Sequence, residues 1–182
     1  MEDAFVVLFV TGVTPGKWTR MWNERMRRRP LDIRAASNDD ALSGVLAGSA
    51  HMAFLRDVDA TDELNVIPLY RETPVVVTSR ESLLASLDSI TCSDLDGLDE
   101  PRQELLDDTH ISGTLELLAA GVGYAILPQS VARAHSRKDL VARPIVDAPD
   151  TGIGLAWRAD ISDDRIETFV GIVRGRTVNS SR

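Results

Sequence analysis

One cysteine, Cys92, stands among 182 residues. An internal disulfide is therefore excluded, and with it any fold held by cross-links. A reducing cytoplasm suits such a chain, and burial as a small hydrophobe is the ordinary place for a free thiol. Positive charge is also short. Lys and Arg number 20 against 28 Asp and Glu, giving a net charge of −8 and a pI near 4.8. A surface of that sign disfavours a phosphate backbone, so direct DNA binding is not expected. Long apolar runs are missing. Residues 4–10 are apolar but follow Glu2 and Asp3, and TGVTPGKW comes after them. They lack the basic flank and the cleavage site of a signal peptide. They also fall far short of the roughly 20 residues that span a bilayer.

Signatures of catalysis are absent too. His51, His110 and His135 are scattered, and neither H-x-x-x-H nor C-x-x-C occurs. No metal or cofactor is expected from that pattern. There is no G-x-S-x-G elbow and no Walker loop, so the expectation is a protein that is not an enzyme. The GVTPG of residues 12–16 has the wrong spacing for a dinucleotide fingerprint and carries Pro15 inside it.

What is present reads as an α/β fold. Residues 109–128, THISGTLELLAAGVGYAILP, give a helix, a glycine stop at Gly121 and a short apolar strand. The lack of polar alternation in that strand suggests cover on both faces and a parallel sheet. Pro128 then opens another helix. Earlier, residues 4–55 read as β-α-β-α-β, a doubly wound half-sheet. Thr14 is placed to cap the first helix with Pro15 at its first position, and Ser37 or Asn38 to cap the second. Trp18, Met21, Trp22, Arg25 and Met26 share one face of the first helix. Residues 64–70 and 73–79 are two more strands, with Pro68 and Pro74 at edge or start positions. Residues 93–108 are acidic and loop-like, and two strands and a capped helix close the chain.

Taken in order, these segments resemble the effector-binding (substrate-binding) domain of LysR-type transcriptional regulators. The likeness is carried by residues 10–14, by NDDALSGVLAGSAHMA at 38–53, by the strand pair at 65–70 and 73–78, by residues 113–135 and by residues 140–158. His51 stands where the family usually has Asp. The resemblance implies a type 2 periplasmic-binding-protein fold of two Rossmann-like lobes. Lobe I would take residues 1–79 and 138–182, and lobe II, shortened, residues 80–137. The family's helix-turn-helix is not seen, and the nearest likeness is to a stand-alone, actinobacterial-like form.

The resemblance also implies a function in transcription regulation: a small anionic or carboxylate effector bound in the cleft between the lobes. Helix N-termini would supply N–H groups and positive dipole ends. Gly12, Val13, Thr14, Ser37, Asn38, Arg56, Thr78 and Ser112 are the candidate ligand contacts, with Thr109 and His110 beside Ser112 and Thr78 at the hinge. Helix capping is the competing reading for Thr14, Ser37 and Ser112, and a surface ion pair is the competing reading for Arg56. Family members pair through the first helix, so a homodimer through Trp18, Met21 and Trp22 is expected. A ligand sink, an enzyme-like use of the same fold, and an interaction module with a degenerate cleft are the alternatives.

Overall fold

The structure, a computed structural model, describes residues 4–104 and 111–175. The chain divides into two compact units, Met1–Leu69 with Ile153–Arg182, and Tyr70–Gly152.

The first unit is built on the half-sheet that the N-terminal pattern predicts. Strand β1 (Phe5–Phe9), helix α1 (Gly16–Arg25), β2 (Leu31–Ala35), α2 (Asn38–Leu46) and β3 (Met52–Arg56) follow in that order. β1 pairs in parallel with both β2 and β3. Strands β4 (Leu64–Glu72) and β8 (Thr151–Arg158) complete a five-stranded sheet of order β2-β1-β3-β8-β4. Helix α6 (Asp164–Val173) is capped by Asp163, whose side chain accepts from the Arg165 N–H. Pro68 lies on the edge strand β4, where a missing donor costs no ladder bond.

Alternation along β1 sorts its two faces. Phe5 and Val7 are wholly buried, and Phe5 stacks on Trp22 of α1 at 4.9 Å between ring centroids. Phe169 of α6 closes against both rings, and Trp18 stacks on Phe54 at 4.7 Å. Trp22 is 0% exposed, and its Nε1–H donates to the Arg29 carbonyl at 2.9 Å. For Trp22 this corrects the expectation of a place on a dimer surface. Trp22 belongs to the aromatic-rich core, and Trp18 and Met21, partly buried, pack against it.

The second unit holds a three-stranded sheet of order β6-β5-β7, from β5 (Pro74–Ser79), β6 (Tyr124–Pro128) and β7 (Leu140–Pro144). β5 is antiparallel to both neighbours, so the parallel sheet expected around β6 is not formed. The apolar run correctly marks burial on both faces, but burial carries no information on strand direction. Helices α4 (Ile111–Ala119) and α5 (Gln129–Ala134) cover one face through Leu115, Leu118 and Val131. Leu84 of a 3-10 turn (Leu83–Ser86), with Ile90 and Tyr124, packs on the other.

Both edges of this sheet carry a single-residue remnant of further pairing. Ile90 bridges Ile145 and Arg102 bridges Tyr124, each in parallel. Helix α3 (Cys92–Leu95) lies within the acidic stretch. Cys92 at its start is exposed, which corrects the expectation of a buried thiol: the helix turns Leu95, not Cys92, to the hydrophobic cluster. The strands β5 and β7 belong to this second unit, unlike the lobe boundaries expected at 79/80 and 137/138. The chain crosses between units at 69/70 and 152/153.

Candidate functional site

At the carboxyl edge of β1, β2 and β3 three loops meet, the place where open α/β sheets bind ligands. The β1 loop leaves the sheet through Thr11 and Gly12, and Gly12 takes φ +93°, a conformation closed to most side chains. Val13 folds back, its N–H donating to the Val10 carbonyl at 3.2 Å, and its side chain is buried. Thr14 is exposed and does not cap α1. Pro15 is the N-cap residue, and no side-chain cap is formed. With proline in that place, the threonine sits one residue too early to reach the orphan N–H groups of the first turn.

The second loop brings Ser37 and Asn38. Ser37 caps α2, accepting from the Asp40 N–H at 3.1 Å and donating to its carboxylate at 2.8 Å. Its hydroxyl is therefore committed to the helix. Asn38 reaches across to the end of β3. Its Oδ1 accepts from the Arg56 backbone N–H at 2.8 Å, and its Nδ2 donates to the Arg56 carbonyl at 3.2 Å. The guanidinium of Arg56 turns the other way and donates from Nη2 to the Thr11 carbonyl at 3.1 Å. Arg56 thus ties all three loops. Asp57 follows it at φ +49°, a left-handed turn that Asp tolerates better than most residues.

Six of the predicted residues, Gly12, Val13, Thr14, Ser37, Asn38 and Arg56, therefore share this edge. Two do not. Thr78 is wholly buried in β5 of the second unit, with its hydroxyl donating to the Gly123 carbonyl at 3.2 Å. It lies beyond the crossing points rather than at them. A depression of about 500 Å³ beside it is lined by Glu81, Glu100 and Asp139 against Arg80, a balance that does not suit an anion. Ser112 is exposed in the first turn of α4, also in the second unit. Thr109 and His110 lie outside the described residues. Thr11 and Asp57 carry no signal in the sequence, since one contributes a carbonyl and the other a backbone conformation.

His51 is placed at the opposite end of the first unit's sheet. It accepts at Nδ1 from the Val6 N–H at 3.0 Å, and its Nε2 lies 3.2 Å from Arg165 Nη2. No group of His, Cys, Asp and Glu among the described residues is arranged to hold a metal. No helix among them is long and apolar enough to cross a membrane.

The LysR substrate binding domain family matches residues 16–99 and 106–177. The chain belongs to that family. Solved structures agree on the fold. The effector binding domain of a BenM variant superposes with a TM-score of 0.81 at 16% identity, over 96% of this chain and 94% of that one. A mutant OxyR regulatory domain from Pseudomonas aeruginosa gives 0.76 at 17%, over 98% and 100%. Full-length CbnR complexed with its target DNA gives 0.73 at 18%, over 96% of this chain but 70% of that one. No curated protein matches the chain. A LysR substrate-binding domain of this type 2 periplasmic-binding-protein-like architecture is thus what the two units build.

Proposed function

We propose that this LysR effector-binding domain takes up a small anionic or carboxylate effector in the cleft between its lobes, using the carboxyl edge of β1, β2 and β3. The observation that carries the reading is the tie from Arg56 to the Thr11 carbonyl and to Asn38. It holds a cation at the sheet edge, beside the β1 loop and the N-terminus of α2. A guanidinium is a fixed, planar, always-charged donor group suited to an oxyanion, and here Nη2 is anchored on the Thr11 carbonyl. The positive end of the α2 dipole lies at the same edge, where Asp39 and Asp40 of the first turn offset it, which leaves Arg56 as the principal attraction. Arg56 is the principal contact in this proposal, with N–H groups near Gly12 and Thr14 secondary. Ser112 would be the second unit's contribution.

The domain acts in this reading as a non-catalytic sensor in the cytoplasm, shifting between conformations as effector binds. It does not itself contact DNA, in keeping with a net charge of −8. It pairs as a homodimer through α1, but by the outward residues Lys17, Arg20, Asn23 and Glu24, which are exposed, rather than by Trp22. A thermal-shift series with acetate, succinate, glutamate, sulfate and phosphate tests the proposal, since a ligand of the native state raises the melting temperature by mass action. Stabilisation by at least one of these anions is expected. A flat response to all of them, at millimolar concentration, contradicts it.

A further inference from the structure

The end of β3 is paired unequally on its two sides. Toward β8 the ladder runs to the last residue, with Arg56 opposite Ile153. Toward β1 it pairs Val7 with Met52, Leu8 with Ala53 and Phe9 with Phe54. One more bond, from the Val10 N–H to the Phe54 carbonyl at 3.3 Å, ends it. Two residues further on, Arg56 points its N–H and carbonyl to the same side as Phe54, but β1 has already left through Thr11 and Gly12. A donor and an acceptor are then left where a strand should be, and a partly buried backbone pair needs partners.

Asn38 supplies both. Its carboxamide takes the N–H at 2.8 Å and gives to the carbonyl at 3.2 Å. Asn and Gln alone carry a donor and an acceptor at the spacing of a peptide group. Asn38 stands in for one missing residue of β1, from the first turn of α2. We infer that Asn38 is a positioning residue: it acts through Arg56, fixing the backbone from which the guanidinium reaches the Thr11 carbonyl, and does not itself contact the effector. This inference rests on the anion-site reading only for its consequence in binding.

The test has two arms on the intact chain. In the first, hydrogen exchange of the Arg56 amide is followed by NMR with no anion added. Asn38→Ala should speed its exchange at least about tenfold, the effect of losing one net hydrogen bond. Asn38→Asp, which keeps the acceptor and suits a helix first turn, should leave it protected. In the second arm sulfate and succinate are titrated into the wild type, Asn38→Ala, Arg56→Ala and the double variant. Asn38→Ala should weaken binding in the presence of Arg56 and change nothing once Arg56 is gone, because coupled residues are not additive.

Unchanged exchange in Asn38→Ala overturns the inference. So does a further loss of affinity on adding Asn38→Ala to Arg56→Ala, which would make Asn38 a direct contact. If neither anion binds the wild type, the anion-site reading fails, and the exchange arm still decides the role of Asn38.

Discussion

The ring of His51 takes the place of a strand partner for Val6: Nδ1 accepts the Val6 N–H at 3.0 Å, while the His51 N–H donates to the Val6 carbonyl at 2.9 Å. One residue thereby satisfies both main-chain groups of its neighbour at the start of β1. Replacing His51 by Ala leaves the Val6 N–H without that acceptor. A loss of about 1–3 kcal/mol in unfolding free energy is expected, measured by urea denaturation. A change within error would show that the histidine is incidental to β1.

Trp22 is a second stability anchor. It is wholly buried, stacked on Phe5 and bonded to the Arg29 carbonyl. Trp22→Ala should cost about 3–5 kcal/mol, the range for deleting a large buried aromatic. A substitution at an exposed position away from α1, such as Lys138→Ala, should lie within about 0.5 kcal/mol of wild type. If Trp22→Ala keeps wild-type stability and changes only the oligomeric state seen by sedimentation, the tryptophan is an interface residue after all.

Acid sensitivity should concentrate at Asp163. Hydrogen bonds from Arg165 hold its carboxyl below the usual value, outweighing its partial burial. A carboxylate with a lowered folded value stabilises the fold above its unfolded value, about 3.9, and loses that contribution as pH falls through the folded one. Asn keeps the capping ability of Asp. Asp163→Asn should therefore be less stable than wild type at pH 6, with the gap closing below about pH 4. A gap that is constant with pH would contradict the linkage.

Cys92 should be a sluggish nucleophile despite its exposure. Its thiol is pushed above the ordinary value, chiefly by hydrogen bonding to Asp147, with burial and the nearby carboxylates adding to it. Less thiolate means slower alkylation. Asp147→Asn should raise the rate of reaction with iodoacetamide severalfold at pH 7.5. An unchanged rate would remove Asp147 from the account.

Much of the first unit was legible because its elements are punctuated by local chemistry. Pro30 before β2, Ser37 before α2 and Gly48 after it each act within a few residues, and the alternation of Phe5 and Val7 marks a face. The second unit was less legible. Its apolar strands Val75–Val77 and Ala125–Leu127 announce burial, yet strand direction depends on which distant segment arrives beside them. At the site, residue type identified the edge but not the roles. The sequence places Asn38 at the start of α2 among the candidate contacts, but cannot show that β1 leaves β3 there and that the carboxamide meets the Arg56 backbone. Thr78 was read as a hinge residue, while its hydroxyl is spent on Gly123. Trp22 carries the amphipathic signature that fits either a core or an interface, and only packing separates the two.

In the proposed site Arg56 is the cation that holds the effector. Isothermal titration of the most stabilising anion of the thermal-shift series, into wild type and Arg56→Ala, tests it directly. A charged hydrogen bond in a partly desolvated setting is worth about 1.5–3 kcal/mol, so affinity should fall about ten- to a hundredfold. Without anion the variant should lose only about the net worth of the bond to Thr11, roughly 0.5–1.5 kcal/mol, because the Asn38 clamp still holds the backbone of residue 56. Equal affinities for the two proteins would contradict the account and place the effector away from the carboxyl edge of β1, β2 and β3.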